Sequence, residues 1–393
     1  MIIKTKTYLT TIGILVVIVI TLSISCCRRT VTGPIIVENE NFWGHRLFET
    51  PEQNFIMNGT VSNGKLYLSA RFGIAILNDI NSLPKNVELY SPDFGFNTKP
   101  VFSNDGSMIA YFDIGRNNRI HINWTEYGTG YGTSFSLSSL NEKFKDYSFQ
   151  RSSRFSDSEF GAFIDNRFVA LIGNQSVSPF WNNDAYVIWA DLMSVSHPDG
   201  YRLRVIDKGY WRIPNRPNEF ANLTAIFNYN NNVFIAVQKQ RPLDGDGGSH
   251  YIIVVSEYGS FNHFSISGLF RWNHPVVNFF EYQGYLIAEL ITGEWYATHD
   301  GKKWNRFATH NVNVNNHTEI DDFIIFNFVN QIVLVGNSIY DATIYEIPIS
   351  NLMGHTITSF NKFNDYLVVT SSHGIFYKLW SDVISAKYIQ NTN

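Results

Sequence analysis

If this protein were a hydrolase, the first feature to expect in its sequence would be a pair of carboxylates. A glycosidase of the usual type places two Asp or Glu side chains on opposite sides of the bond that it breaks. Nothing in the spacing of the acidic residues pairs any two of them across a site, so the sequence favours a protein that is not an enzyme. The acidic residues considered are Asp191, Glu281, Glu289, Asp321 and Asp322.

Residues that could ligate a metal are also dispersed. The segment Asp244-Gly245-Asp246-Gly247-Gly248 alternates oxygen donors and glycines as a calcium loop does, but it lacks the bidentate acid that completes such a site. We interpret it as a solvated hairpin loop. The eleven histidines include no pair with zinc-motif spacing and a third ligand. Phosphate-binding and dinucleotide-binding motifs are absent from the sequence, and we expect neither a metal nor a cofactor.

The two cysteines, Cys26 and Cys27, are adjacent and end an apolar N-terminal segment. Lys4 and Lys6 precede this segment, which gives the basic and apolar regions of an export signal. The rest of the chain has no cysteine, so no disulfide framework holds the fold. Because an apolar run of about 18 residues is just long enough to span a bilayer, an uncleaved membrane anchor is an alternative to a cleaved signal.

The end of this segment resembles a bacterial lipoprotein signal, in which Leu22 and Ser25 would precede a lipid-modified Cys26. Ser23 departs from the pattern, because that family prefers an aliphatic residue three positions before the cysteine. The resemblance implies a protein tethered outside the cytoplasm, at the cell envelope or surface. We predict a signal peptide or anchor over residues 1–25, a tether over 26–41 and a folded domain over 42–393. Within the tether, Ile35-Ile36-Val37 is a candidate closing strand of that domain.

Short β-strands are the elements that must position any site. The stretch from Phe279 to Phe307 consists of an apolar run, a turn at Gln283-Gly284, a second run, a turn at Thr292-Gly293, a third run, an Asp-Gly turn and a fourth run from Trp304. Short β-rich runs separated by turns that contain Gly, Asn or Asp indicate hairpins. Four such strands in series form the small antiparallel sheet of a β-propeller blade.

Fainter copies of the same unit recur along the chain at intervals of roughly 35–60 residues, which is the mark of a propeller. The copies at Asp165 and Asn182 are only about 17 residues apart and would belong to one blade. The hydrophobic content of 44% is sufficient for a packed core. We therefore predict an all-β fold, a single propeller of about seven four-stranded blades, with six as the alternative. The recurring turns are Asn63-Gly64, Asp105-Gly106, Asp165-Asn166, Asn182-Asn183-Asp184, Asn230-Asn231-Asn232, Gln283-Gly284, Asn330-Gln331 and Asn364-Asp365.

Two short motifs resemble repeats of known propeller proteins. Thr298, Asp300, Gly301 and Trp304 match the Asp-box, the Ser/Thr-x-Asp-Gly-x-x-Trp turn of the bacterial neuraminidase repeat. An Asp before Gly can accept hydrogen bonds from the backbone of its own turn, and the Trp can lie against the hairpin, so we predict a structural role. Phe102–Phe112, FSNDGSMIAYF, resembles the propeller repeat of the periplasmic Tol system.

A sialidase must be considered, because sialidases share the Asp-box and a propeller. Tyr210–Pro214, YWRIP, resembles the Arg-Ile-Pro motif whose arginine, here Arg212, grips the sialic acid carboxylate in that family. In sialidases the motif precedes several Asp-boxes, whereas here it lies in mid-chain before one clear box. We interpret it as a strand that ends at a Pro-bounded turn. With Arg212, the candidate ligand-facing residues are Trp43 and Trp211, which lie among polar or charged neighbours.

The formal net charge of −4 and the lack of a basic run give no electrostatic footprint for nucleic acid. A propeller fold leaves the ligand open. We predict a membrane-tethered lipoprotein that acts as a non-enzymatic platform for protein partners at the cell envelope. The alternative is a carbohydrate-binding protein or a divergent sialidase-like glycoside hydrolase. A carboxylate cluster with an arginine at the channel mouth would favour the enzyme, and an exposed apolar or aromatic patch would favour a protein partner.

Overall fold

The protein is an all-β propeller of seven blades. The computed structural model describes residues 43–48, 55–70, 73–88, 100–113, 119–127, 131–149, 160–174, 185–213, 220–240, 249–256, 261–265, 274–306, 315–328, 331–336, 343–347, 352, 354–385 and 388–389. All of these belong to one unit of the chain, Asn41–Asn393. The predicted signal, its Cys26 and the candidate strand Ile35-Ile36-Val37 lie outside the described residues.

Thirty strands and one short helix are described, together with 3-10 turns at Leu137–Ser139 and Glu142–Asp146. In chain order they are β1 (Gly44–Arg46), β2 (Ile56–Ser62), β3 (Lys65–Ala70), β4 (Gly73–Leu77), β5 (Lys85–Glu88), β6 (Val101–Phe102), β7 (Met108–Asp113), β8 (Arg119–Trp124), β9 (Thr133–Ser136), β10 (Tyr147–Phe149), β11 (Gly161–Ile164), β12 (Arg167–Asn174), β13 (Ala185–His197), β14 (Gly200–Arg212), β15 (Phe220–Tyr229), β16 (Asn232–Gln240), β17 (Ser249–Ser256), β18 (Phe261–Ser265), β19 (Val276–Tyr282), β20 (Tyr285–Leu290), β21 (Trp295–Thr298), β22 (Asn305–Arg306), β23 (Asn315–Ile320), β24 (Phe323–Phe328), β25 (Gln331–Gly336), β26 (Thr343–Ile347), β27 (Ile357–Phe363), β28 (Tyr366–Ser371), β29 (Gly374–Leu379), α1 (Trp380–Ser385) and β30 (Tyr388–Ile389).

Consecutive strands form the blades, as the repeat predicted. Blade one is β2–β5, blade two β6–β9, blade three β10–β14, blade four β15–β18, blade five β19–β22, blade six β23–β26 with β30 at its edge, and blade seven β27–β29 with β1. In blade three, both β10 and β11 pair with β12. Strand β11 pairs with its first half and β10 with its last three residues. Seven blades are therefore confirmed over six, and the unit read from Phe279 onward is blade five.

The recurring turn joins the first and second strand of each blade, except in blade three, where it joins β11 to β12. A non-glycine residue with positive φ occupies it in six blades, for example Asn63, Gln283 and Asn364, and Gly106 takes that role in blade two. Asn and Asp tolerate this left-handed conformation better than most residues, because their side chains hydrogen-bond locally. Asp165 and the strand after Asn182 belong to one blade, as expected. The turn of blade six is Asp321-Asp322, although these residues are predicted from the sequence only as possible catalytic carboxylates.

The core is divided into seven apolar clusters, one between each pair of adjacent blades. Each middle strand is covered on both faces, so its residues are almost continuously buried, as in β20 and β28. Strands buried on both faces read as apolar runs rather than as an alternation. The last cluster of the circle lies between blades seven and one, and strands β2 and β27 are in contact there. The ring is therefore closed.

Closure uses strand β1 as the fourth strand of blade seven, antiparallel to β29. This position corrects the expectation that Trp43 is exposed. Trp43 is only 1% exposed and packs into the cluster between blades six and seven, because β1 carries it onto the face of a blade. Arg46 then links blade seven to blade one, since its guanidinium donates to the carbonyl oxygens of Ile80 and Ser82.

Three histidines lie together at this closing strand: His45 belongs to it, and His355 and His373 lie beside it. The His355 ring lies 5.0 Å from His373 and 6.3 Å from His45, and His45 stacks on Phe376 at 4.2 Å. Burial lowers the pKa of His355 below its usual 6.5, and positive charge on His373 and His45 lowers it further. The folded protein therefore takes up this proton less readily than the unfolded chain does.

We expect the Tm to fall as the pH is lowered below 6.5, because the unfolded chain then binds a proton at position 355 that the folded protein resists. His355→Gln should reduce this fall, and His197→Gln, at an exposed turn, should leave it unchanged. Thermal unfolding followed by circular dichroism between pH 5 and pH 8 tests this. An unaltered pH dependence in His355→Gln would contradict the assignment.

Candidate functional site

The longest hairpin among the described residues projects from blade three. Strands β13 and β14 have 13 residues each, but the neighbouring strand β12 begins only at Arg167, which pairs with Asp191. Beyond a bulge at Asp191/Leu192, β13 is no longer paired with β12. Strands β13 and β14 continue together past the end of the blade as a two-stranded hairpin. We call residues 192–206 the projecting hairpin.

Its base is braced by charge and by backbone. The guanidinium of Arg167 binds the carboxylate of Asp191 through two bonds, of 2.5 and 2.8 Å, the bidentate geometry that holds an arginine most firmly. The N–H of Leu192 donates to the carbonyl of Asn166 at 2.8 Å. The hairpin therefore leaves the blade in a fixed direction.

One face of the projecting hairpin leans on blade two. Leu203 is buried and Val205 packs against the cluster between blades two and three. The N–H of Leu203 donates to the carbonyl of Tyr131 at 2.9 Å. Side chains alternate between the two faces of a strand. The cross-strand pairs Met193–Arg204 and Val195–Arg202 therefore occupy the opposite, outer face.

Exposed apolar side chains concentrate here. In the part of the chain that the structure describes, seven large apolar side chains are exposed, and four of them belong to the hairpin or to the loop under it. These four are Tyr127, Met193, Tyr201 and Ile206, each between 45% and 58% exposed. Exposed apolar groups that cluster mark an interaction surface, whereas scattered ones need no explanation.

A cavity of about 330 Å³ lies between the inner face of the hairpin and blades one and two. This volume is at the lower end of the range for small-molecule sites. Aromatic rings from all three blades line it, so no single blade forms it. Its lining residues are Asn63, Tyr67, Ser107, Trp124, Thr125, Glu126, Tyr127, Ser194 and Tyr201.

Glu126 is the charged group of this cavity. Its Oε1 accepts a bond of 2.6 Å from Lys65 Nζ and one of 3.0 Å from the Tyr67 hydroxyl. The bond from Lys65 lowers the pKa of Glu126, so the carboxylate stays ionised. Burial, together with the bond to Glu126, raises the pKa of Tyr67 to about 12. The Lys85 ammonium also lies close and donates to the Glu126 carbonyl at 3.3 Å.

The central channel holds a second cavity, of about 290 Å³, lined mostly by residues of the first strands. Its polar groups are amides, hydroxyls and the imidazole of His317, and none of its lining residues is Asp, Glu, Lys or Arg. A hydrolase with two carboxylates therefore finds no acidic pair among the residues that line this channel.

Most of the acidic residues that the sequence analysis considers have separate surroundings in the structure. Glu281 and Asp322 are the exception and are described below. Asp191 is bound by Arg167. Asp321 binds Lys362 Nζ at 2.6 Å and Trp380 Nε1 at 2.7 Å. Glu289 is fully buried within blade five.

The exception is a rim formed by Glu281 and Asp322, which come together around Glu319 at the turns of blades five and six. Burial raises the pKa of Glu319, the two neighbouring charges raise it further, and a bond from the Gln283 N–H opposes them. All three groups are acids, and the charges of Glu281 and Asp322 both act on Glu319.

The sequence also predicts that Trp211 and Arg212 face a ligand, but neither residue lies at either cavity. Trp211 and Arg212 end β14, the outer strand of blade three. Trp211 is half-buried against the cluster between blades three and four, and Arg212 is exposed. Neither lines the channel or the cavity. Within the described residues, no three His, Cys, Asp or Glu side chains are arranged to hold a metal ion.

The Asp-box forms the turn between β21 and β22 in blade five. Asp300 Oδ1 accepts from the N–H groups of Lys302 at 2.8 Å and Lys303 at 2.9 Å, and from the Thr298 hydroxyl at 3.1 Å. The backbone bonds lower the pKa of Asp300. Gly301 has a φ of 71°, and the buried Trp304 packs in the cluster between blades four and five.

Asp300→Ala should lower the free energy of unfolding by about 1 kcal/mol, the usual effect of removing a side chain that caps backbone N–H groups. The loss should shrink as the pH falls below 3.8, because the lowered pKa stabilises the fold only while the carboxylate is ionised. Urea denaturation measures both effects. Lys302→Ala removes only an exposed side chain from the same turn and should change little; an equal loss in the two variants would refute the role of the carboxylate.

Comparisons with known proteins identify the fold and no family. No model of a protein family matches the sequence, and no curated protein sequence matches it. A chain in the crystal structure of the mitotic checkpoint complex is 10% identical, with 90% of this chain and 99% of that one covered and a TM-score of 0.51. At that identity the likeness shows the propeller fold alone.

Two other solved structures are similar at lower scores. PorZ, a bacterial surface component of the type-IX secretion system of Porphyromonas gingivalis, is 10% identical over 89% of this chain, with a TM-score of 0.43; this chain spans only 39% of it. The sialidase of Trypanosoma rangeli is 12% identical over 78% of this chain and 58% of its own, with a TM-score of 0.44. In the described part of the chain, no helix has the length and apolar character needed to cross a membrane.

The residues of the cavity and of the hairpin are not predicted from the sequence. Tyr67, Trp124 and Glu126 are far from Tyr201 in sequence and meet only through the ring. The hairpin itself had a signal: the segment 185–212 carries two β-rich runs joined at Pro198-Asp199, each longer than the strands of an ordinary blade. That length predicts a strand pair extending beyond its sheet.

Proposed function

We propose that this protein is a non-enzymatic binding platform, and that a protein partner docks on the outer face of the projecting hairpin. The observation that supports this is the exposure of two large apolar side chains on that face, Met193 and Ile206. A closed ring of seven packed blades holds the hairpin base rigidly, so little conformational freedom is lost when a partner binds.

The outer face also indicates the chemistry of the partner. Met193 lies opposite Arg204, and Val195 lies opposite Arg202 on the neighbouring strand. Ile206, the extra residue at the bulge, is 58% exposed. Apolar groups flanked by arginines fit a surface that is apolar at its centre and carries carboxylates at its rim. Rim charges act chiefly on the association rate, which should therefore fall as salt is added.

The platform is proposed to act outside the cytoplasm, tethered to a membrane by lipid at Cys26. Support for this part comes from the sequence, namely the basic and apolar regions before Ser25 and the small residue that precedes Cys26. Intact mass of the protein purified from its native membrane tests it. A chain that begins at Cys26 and carries acyl groups, lost in Cys26→Ala, is expected; a chain that still carries Met1 would overturn the lipid tether.

The docking face is tested with matched pairs of substitutions. Met193→Glu with Ile206→Glu should reduce recovery of a co-purifying partner at least tenfold, because two charges are placed at the centre of an apolar contact. Leu379→Glu with Leu47→Glu is the control, since these residues are 40% and 59% exposed on or beside blade seven, close to the 45% and 58% of the test pair.

Quantitative mass spectrometry of material captured from native membranes gives the readout, and circular dichroism checks that each variant folds. A partner lost from the hairpin variant and kept by the control supports the proposal. Partners recovered equally by both variants would contradict it.

A further inference from the structure

We infer that the cavity between the projecting hairpin and blades one and two is a binding site for a neutral saccharide. It is separate from the docking face, because Ser194 and Tyr201 line the cavity whereas Met193 and Arg204 lie on the other side of the same two strands. The inference therefore stands independently of the proposed protein partner.

The aromatic rings supply the first argument. Tyr67 is almost fully buried, whereas Tyr127 and Tyr201 are about half exposed, at 49% and 56%. Trp124 comes from the end of β8 beneath them. Flat apolar rings on several sides of a small cavity match the C–H faces of a pyranose, and each aromatic side chain offers an apolar face at small cost in conformational entropy.

Unpaired polar groups supply the second argument. Both hydrogen bonds to the Glu126 carboxylate go to Oε1, so Oε2 can accept from a ligand hydroxyl. The amide of Asn63 and the hydroxyl of Ser194 line the cavity. The indole N–H of Trp124 is buried without a partner among the described residues. Leaving such a donor unpaired is unfavourable, and a ligand oxygen that reached it would remove that penalty.

Charge decides between a saccharide and a cation, the other ligand that aromatic rings attract. A cation site would need uncompensated negative charge. Here Lys65 binds the only carboxylate among the lining residues at 2.6 Å, and the Lys85 ammonium lies beside it, so this carboxylate is already compensated. A quaternary ammonium or a protonated amine finds no uncompensated carboxylate among the lining residues, whereas a neutral ring bearing hydroxyl groups needs none.

Saturation-transfer NMR and calorimetry test this on the purified full-length protein. The probes are glucose, galactose, mannose and N-acetylglucosamine, each free and as short oligomers, with choline as the cationic probe. At least one saccharide is expected to bind and choline is not. Tyr127→Ala and Tyr201→Ala, both at exposed positions that leave the core intact, should each weaken binding about 2- to 10-fold.

Two further variants sharpen the test. Glu126→Gln should weaken binding, because it replaces the charged acceptor. Met193→Ala, on the outer face of the same hairpin, should leave saccharide binding unchanged.

Three results would overturn the inference. In the first, the wild-type protein binds none of the saccharides. In the second, it binds one with an affinity that Tyr127→Ala and Tyr201→Ala leave unchanged. In the third, choline binds and the saccharides do not. If Tyr201→Ala abolished partner capture while no saccharide bound, the saccharide site would be rejected, and the protein-docking surface would include the cavity as well as the outer face.

Discussion

Trp43→Ala is expected to lower the free energy of unfolding by about 3–5 kcal/mol, the usual range for truncating a large aromatic side chain in a packed core. Trp43 is 1% exposed and fills the space between blades six and seven beside the closing strand β1. Its removal leaves a cavity at the seam where the two ends of the propeller meet. Urea denaturation followed by tryptophan fluorescence and circular dichroism measures the loss.

Leu83→Ala is the control for this prediction. Leu83 is 86% exposed, so its truncation should change stability by less than about 0.5 kcal/mol. If Trp43→Ala were as mild as Leu83→Ala, β1 would not be part of the folded ring, and the proposed mode of closure would be wrong.

Gly374→Ala should destabilise the protein by about 2–5 kcal/mol, through backbone strain and a clash that add together. Gly374 has a φ of 92°, in the left-handed region that favours glycine. A Cβ at this position would also meet the carbonyl oxygen of Arg46 well inside contact distance. Since Arg46 belongs to β1, the added methyl group pushes the closing strand away from blade seven.

Gly64→Ala separates the two causes. Gly64 also has a positive φ, of 71°, but a Cβ there would meet no atom within 4 Å, so only the strain of about 1–2 kcal/mol is expected. Denaturant unfolding of both variants gives the difference, which is the contribution of the contact with β1. Equal losses in the two variants would show that displacement of β1 has no energetic consequence.

Local signals explain what could be predicted from the sequence. The turn Gln283-Gly284 and the Asp-box at Asp300 are formed by residues close in sequence, whose preference for positive φ or for backbone hydrogen bonds is intrinsic. Repeated at intervals along the chain, such turns give both the strand order and the blade count. Local composition can also suggest the wrong role. Asp321-Asp322 has the composition of a catalytic acid pair, but it forms the turn of blade six.

Contacts between distant residues explain what could not be predicted. Trp43 has polar and charged neighbours in sequence, and its burial depends on β1 pairing with β29 at the other end of the chain. The cavity likewise joins Tyr67, Trp124 and Tyr201 from three blades. Neither composition nor periodicity records which side chains of neighbouring blades face each other, since that depends on how the ring closes.

Photo-crosslinking in the native cell tests the central claim most directly, namely that the projecting hairpin docks a protein partner. A photoreactive amino acid replaces Met193 in the full-length chain, and in a parallel strain it replaces Leu379, which is similarly exposed on blade seven. We expect a discrete protein adduct from position 193 that is lost when Ile206→Glu is added, and no such adduct from position 379. Identical adducts from the two positions, or none from position 193 in folded protein, would contradict it.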